Sequence, residues 1–210
     1  MKKAKDRIIT LYEENKEQTV LGLDCSSATI GWGLISLSDP PKLISHGYIK
    51  PLDSKYSEIE RLDDVYDRIC MLCDTLKPSV VSVEDIFLFM KGKSKARTIT
   101  LLTAFNRVIS LAAYKKVGKV SFYTVHEIRK VIKNAFSIAV DIGKEDMPNF
   151  IRQHLEPNFT DIKNKKNEQA KETCDEADGI AAGWCYLLCK FNSEFLKLLE
   201  KKPTKKERKK

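Results

Sequence analysis

Three features of this 210-residue sequence predict a mixed α/β fold with helices packed on a central sheet. Short apolar runs with strand character recur between segments of helical periodicity. The first three strand-like runs follow one another closely, with short links, the pattern of an antiparallel meander. The later ones alternate with helices, which places helices against a sheet.

Taken in order, residues 1–17 are polar and read as an arm before a domain spanning 18–195. Val20 to Asp24 reads as a short buried strand ending on a carboxylate, and Cys25 to Thr29 is small and turn-forming. Ile30 to Leu37 is a second strand, stopped by Asp39-Pro40-Pro41, and Lys42 to Lys50 a third. Ile59, Leu62, Val65, Ile69, Leu72 and Leu76 then recur at helical spacing, with Asp63, Asp64, Asp67 and Arg68 off the stripe. That is a surface helix with one face on a core. Pro78 ends it, and Val80 to Glu84 is a buried strand that again ends on a carboxylate. A basic loop (Lys91, Lys93, Lys95, Arg97) leads into a long helix with two apolar stripes. Ile99, Leu102 and Ile109 form one; Leu101, Ala104, Val108 and Leu111 form the other. One side suits the sheet, and the other suits a second subunit or ordinary burial. Lys119 to Thr124 is a fifth strand, Val125 to Lys133 and Lys144 to Leu155 are short helices, and 156–172 is a polar loop. Cys174 to Phe191 is the last helix, followed by a basic tail over 196–210.

Charge is unevenly distributed. Lys and Arg number 37 against 29 Asp and Glu, a net +8. The last ten residues carry seven basic groups and Glu207, and the first seven carry four basic groups and Asp6, so the body between is close to neutral. Basic ends suit a polyanion such as nucleic acid, with a solubilising tail as the plainer alternative. No apolar run approaches the ~20 residues that span a bilayer, so an integral membrane protein is not expected; an acidic membrane surface would also suit the basic ends, but no membrane is expected among the partners. The N-terminal lysines are not followed by an apolar leader segment, and an intracellular setting, cytoplasm or nucleoid, is expected. The six cysteines then read as reduced thiols. Cys70-x-x-Cys73 lies on a helical stretch with no second such pair, a poor zinc pattern.

Chemistry points to the acids. Asp24 and Glu84 end strands, and Asp175 and Asp178, three apart, share a face of the last helix. Ligands of α/β sheets gather at strand ends. Four converging carboxylates repel one another unless a cation joins them, and oxygen-only ligands favour Mg²⁺ or Mn²⁺. Two such ions can serve phosphodiester cleavage. Taken singly, each acid has a plainer role: a turn residue, a surface acid, or a charge favoured by a helix N-terminus. Strand alternation should turn Asp85 away from any site that Glu84 enters.

Leu21-Gly22-Leu23-Asp24-Cys25-Ser26-Ser27-Ala28-Thr29-Ile30-Gly31-Trp32-Gly33 resembles the opening of RuvC-type Holliday junction resolvases, especially their phage-like branch. Val83-Glu84-Asp85-Ile86-Phe87 resembles the second acidic motif of that family, and Asp175-Glu176-Ala177-Asp178-Gly179-Ile180-Ala181 its closing helix. The resemblance implies an RNase H-like fold, a five-stranded mixed sheet flanked by helices. It implies a homodimer that cuts four-way DNA junctions by paired, metal-dependent phosphodiester cleavage. It assigns Asp24, Glu84, Asp175 and Asp178 to two Mg²⁺ ions, with Mn²⁺ as a substitute; relatives can place a His at the position of Asp175. Lys144 aligns with a lysine near the scissile phosphate, Arg129 with a second basic position, and Lys130 stands beside it. Phe87 aligns with an aromatic that wedges into the junction centre, a core Phe being the competing reading. Lys91, Lys93, Lys95, Arg97, Arg129, Lys130 and Lys144 are the expected phosphate contacts. Common relatives carry Pro-Gly where this chain has Cys25-Ser26, and Asp85 replaces an amide-type residue. Whether an accessory helicase partners it is not encoded in these motifs. Competing readings are an RNase H-like nuclease for RNA–DNA hybrids or structured RNA, an inactive junction-binding module, and an ATPase of similar opening, for which Gly-rich phosphate loops are lacking.

Overall fold

The computed structural model describes residues 18–38, 41–86, 96–138 and 141–191. Five strands form one sheet: β1 (Thr19–Cys25), β2 (Ile30–Ser36), β3 (Leu43–Ile49), β4 (Val80–Asp85) and β5 (Val120–Thr124), in the order β3-β2-β1-β4-β5. The meander is antiparallel, whereas β4 and β5 run parallel to β1. The helices are α1 (Glu58–Leu76), α2 (Ala96–Val117), α3 (Val125–Ala135), α4 (Met147–His154) and α5 (Lys171–Phe191). None is long and apolar enough to cross a membrane.

Alternation along each strand builds two cores. Leu21, Leu23, Leu34, Val81 and Val83 point to one face and pack on α1 and α2 through Val65, Ile69, Phe105 and Ile109. Val20, Ile35 and Val80 point to the other, against α3, α4 and α5 through Ile128, Ile151, Ala181 and Trp184. Both α1 and α3 start at capping boxes, Ser57 with Glu60 and Thr124 with Glu127. These satisfy backbone N–H groups that the first turn leaves free.

Two boundaries differ from the sequence reading. The fourth helix starts at Met147, not Lys144, because Pro148 fits only its first turn; Lys144 to Asp146 form a turn. The last helix starts at Lys171, three residues earlier than the apolar pattern suggests. Asp175 therefore lies in its second turn, beyond the strongest part of the N-terminal dipole.

Candidate active site

Asp24 and Glu84 stand at the carboxyl ends of adjacent parallel strands, one residue past the paired Leu23 and Val83. Equal register points both side chains to the same face, the one covered by α5. What brings α5 close is glycine. A Cβ at Gly22 would land on the backbone of Gly179 and Gly183, one at Gly31 on the carbonyl of Asp175, and one at Gly179 on Gly31. The helix thus rests on bare strand backbone, and Asp175 and Asp178 descend to the level of Asp24. Gly31 is itself the cross-strand partner of Asp24.

The turn after Asp24 is closed locally. Ser26 Oγ donates to the Thr29 carbonyl at 2.7 Å and accepts from Thr29 N at 3.0 Å and Ala28 N at 3.2 Å. Arg61 of α1 braces it by donating to the Ser27 carbonyl at 2.6 Å. A hydroxyl therefore does here what a Pro-Gly turn would otherwise do.

The acids are buried: Asp175 is 2% exposed, Asp178 6% and Asp24 8%. Lys144, freed from helix α4, reaches among them. Its Nζ donates to Asp175 Oδ1 at 2.7 Å and lies 3.5 Å from Asp178 Oδ2 and 4.0 Å from Asp24 Oδ2. Burial pushes the Asp24 carboxyl up to about 7, and repulsion from Asp178 adds to it. Burial also raises Glu84, with Asp24 and Asp178 reinforcing it, and raises Asp178 against the opposing pull of Lys144 and Arg129. For Lys144, burial alone favours the neutral amine, but the surrounding carboxylates reverse this and hold the ammonium above its usual range.

Four carboxylates thus face two cations, Lys144 and Arg129, whose Nη2 lies 3.9 Å from Asp178 Oδ1. Asp175 Oδ2 is buried without a hydrogen-bond donor. Excess negative charge, hard oxygen donors and an orphaned carboxylate oxygen all fit a divalent cation of the Mg²⁺ class. Among the described residues, no three acids yet close into a ready coordination shell; Lys144 Nζ is the group that bridges them.

Asp85 turns away as alternation requires. It pairs with Arg107 of α2 at 3.2 Å, and its Oδ1 accepts from Ile86 N at 3.0 Å. Lys130 is exposed on α3 beside Arg129, and Arg97 is exposed in the first turn of α2. Phe87, Lys91, Lys93 and Lys95 lie outside the described residues, as do the arm and the basic tail.

Two supports escaped the sequence reading. The fully buried Asn106 of α2 donates from Nδ2 to the Glu84 carbonyl at 2.9 Å, fixing the end of β4. Its only sequence signal is an amide within an apolar face. His46 of β3 meets the buried Glu176 at 3.0 Å and stacks on Phe159, tying the start of α5 to the sheet edge. Nothing in the spacing links residues 130 apart.

The family profile described as "Crossover junction endodeoxyribonuclease RuvC" matches residues 20–145, a segment that ends before the two aspartates of α5. The RuvC of Pseudothermotoga lettingae is 26% identical over 168 residues, covering 80% of this chain and 92% of that protein. The RuvC of Fusobacterium nucleatum subsp. nucleatum is 31% identical over 102 residues, 45% of this chain and 53% of that one. Among solved structures, Thermus thermophilus RuvC in complex with a Holliday junction substrate superposes with a TM-score of 0.60 at 17% identity, covering 85% of this chain and 96% of that one. The yeast mitochondrial Holliday junction resolvase Ydc2 gives 0.56 at 12% identity, covering 93% and 90%. Both share the RNase H-like arrangement seen here. With its profile match spanning more than half its length, the chain belongs to the RuvC family of crossover junction endodeoxyribonucleases.

Proposed function

We propose that this protein resolves four-way DNA junctions as a homodimer, each subunit cutting one strand by divalent-metal-dependent phosphodiester hydrolysis. The carrying observation is the set of buried Asp24, Asp175 and Asp178 around Lys144, with the half-buried Glu84 at the neighbouring strand end, in a family whose members are junction endonucleases. Asp24, Glu84, Asp175 and Asp178 would hold Mg²⁺, two ions per site, with Mn²⁺ able to substitute. Bound there, such ions supply Lewis-acid activation of a water and charge stabilisation at the leaving oxygen. Lys144 has two tasks. Its ammonium balances the carboxylates before loading, and it stands ready to meet the charge of the scissile phosphate. Arg129 extends that positive edge past Asp178, with Lys130 beside it. Phe87, Lys91, Lys93, Lys95 and Arg97 are assigned to junction contact, with Phe87 as the wedge. The catalytic unit is residues 18–195, with the polar arm at 1–17 and the basic tail at 196–210 adding salt-sensitive, sequence-independent affinity.

The dimer reading draws on the outer face of α2. Leu111 is 50% exposed and Tyr114 57%, and Arg107, on the same face, stacks over the exposed Phe122 of the edge strand β5. Among the described residues, Leu111, Tyr114 and Phe122 stay largely uncovered.

The test is a synthetic four-way junction offered beside an RNA–DNA hybrid, with Mg²⁺ or with chelator. Junction cleavage that requires the metal is expected. Asp24→Asn and Glu84→Gln should each lower cleavage by at least about 100-fold while binding persists. Normal cutting by both variants would remove the site assignment, and preference for the hybrid would replace the substrate.

A further inference from the structure

The two strand ends that carry acids are supported differently. Asp24 is paired across to Gly31 of β2, but β4 outruns β1: their pairing ends at Leu23 and Val83, and from there the ladder runs on with β5, through Tyr123 and Thr124. Helix α2 holds this overhanging end through two successive residues. Asn106 donates from Nδ2 to the Glu84 carbonyl at 2.9 Å, and Arg107 meets the Asp85 carboxylate at 3.2 Å. The peptide between Glu84 and Asp85 is thus tied to α2 at its carbonyl and again through the next side chain. Asp85, which alternation turns away from the centre, acquires a use in this grip.

Asn106 is an unusual choice for its place. It is fully buried, as are Phe105 and Ile109 beside it in the apolar core under the sheet. A carbonyl can only accept, so the amide must turn Nδ2 toward Glu84. Its Oδ1 is then buried with no donor among the described residues. A leucine would suit the apolar pattern and leave no orphaned acceptor, whereas the amide costs stability and makes one bond, to the main chain of an acid of the centre. Where a sequence breaks a local rule in this way, a functional constraint is the usual reason. The neighbouring α1 does the same for Asp24. Arg61, its guanidinium 5.1 Å from the centroid of the Phe105 ring, donates to the Ser27 carbonyl in the turn that follows.

We infer that Asn106 and the Arg107–Asp85 pair are positioning residues for Glu84 and set how tightly the acidic centre takes its divalent cation. The inference rests on the metal-site reading above and adds the residues that hold one ligand in place. They act through the main chain: a strand end fixed beforehand gives the carboxylate less freedom to lose when the cation arrives.

Mn²⁺ binding to the full chain without DNA, followed by electron paramagnetic resonance, tests this apart from cleavage. The unsubstituted protein should bind, and Glu84→Gln should bind at least about tenfold more weakly. Asn106→Leu should also weaken Mn²⁺ about tenfold, and raise the half-saturating Mg²⁺ for cleavage by the same factor. A role confined to stability would lower the melting temperature and leave the Mn²⁺ affinity of the folded protein unchanged. Arg107→Ala and Asp85→Ala alter a half-exposed pair, and test the grip even where Asn106→Leu does not fold. Each should weaken Mn²⁺ about threefold, and the double variant no more than either, since both remove one contact. Unchanged affinity in folded Asn106→Leu, or in both alanine variants where it does not fold, overturns the positioning role and leaves the metal site standing. Losses that add in the double variant overturn the share of the Arg107–Asp85 pair. A Glu84→Gln protein that binds Mn²⁺ as tightly as the unsubstituted one overturns the metal-site reading itself.

Discussion

Asp24 shows how one residue couples stability to the site. Folded, it keeps its proton up to about pH 7, against an ordinary value of 3.8, because burial and then Asp178 disfavour the anion. The folded chain thus binds more protons than the unfolded chain between those limits. The stability Asp24 contributes is complete below about pH 4 and is lost as the pH rises through about 7. Thermal melts in chelator should therefore fall between about pH 5 and about pH 8, and Asp24→Asn should flatten that fall. Mg²⁺ should raise the melting temperature more at the higher pH, since it binds the deprotonated acids. Parallel curves for the two proteins would mean that another group sets the dependence. The strand-end position of Asp24 and Glu84 could be read from apolar runs that stop at an acid. The place of Lys144 could be read only by family alignment: periodicity put it inside a helix, and Pro148 is what releases it into a turn. Asn106 and His46 act through contacts between distant elements, which no local pattern carries.

The presence of the five strands along the chain and the antiparallel meander were legible because short apolar runs stop at turn residues; the placing of β4 and β5 beside β1 is a long-range pairing that no local pattern carries. Helix α2 was only half legible. Its stripes include Ile109, but Phe105, Ala112 and Ala113 form much of the buried face, and Leu111 faces outward. Both flanks of that helix are apolar, so periodicity alone cannot say which one meets the sheet. The seating of α5 was less legible still, because glycines carry no hydrophobic signal. It yields a sharp expectation. A methyl at Gly31 falls on the Asp175 carbonyl, backbone against backbone, with no flexible side chain to yield. Gly31→Ala should cost about 1–3 kcal/mol or more in denaturant unfolding and should abolish cleavage even where the fold persists. Ala182→Gly, in the same helix, should reduce stability by about 1 kcal/mol without separating α5 from the sheet. Equal activity in the two variants would show that the close approach of α5 does not govern the site.

Assembly and charge belong to the protein as a whole. Light scattering at micromolar concentration should give twice the 24.0 kDa of one chain. Tyr114→Glu combined with Leu111→Glu, both on exposed positions, should give a monomer with an unchanged circular dichroism spectrum. A persistent dimer would move the interface elsewhere. On the proposed dimeric reading, paired cutting depends on that assembly, so the monomer should nick junctions without resolving them. The formal charge of +8 is likewise better located than composition suggests. The body is nearly neutral, yet it gathers acids at one centre and cations along α3 and at Lys144.

The bare contact between α5 and the first two strands has a mechanical corollary. The interval between Asp24 and the aspartates above it is set by main-chain radii, which mutation of neighbouring side chains leaves untouched. Hydrophobic exchanges in either core can loosen or tighten the protein while that gauge stays constant. Drift in sequence and constancy in the cutting geometry are, for this architecture, compatible by construction.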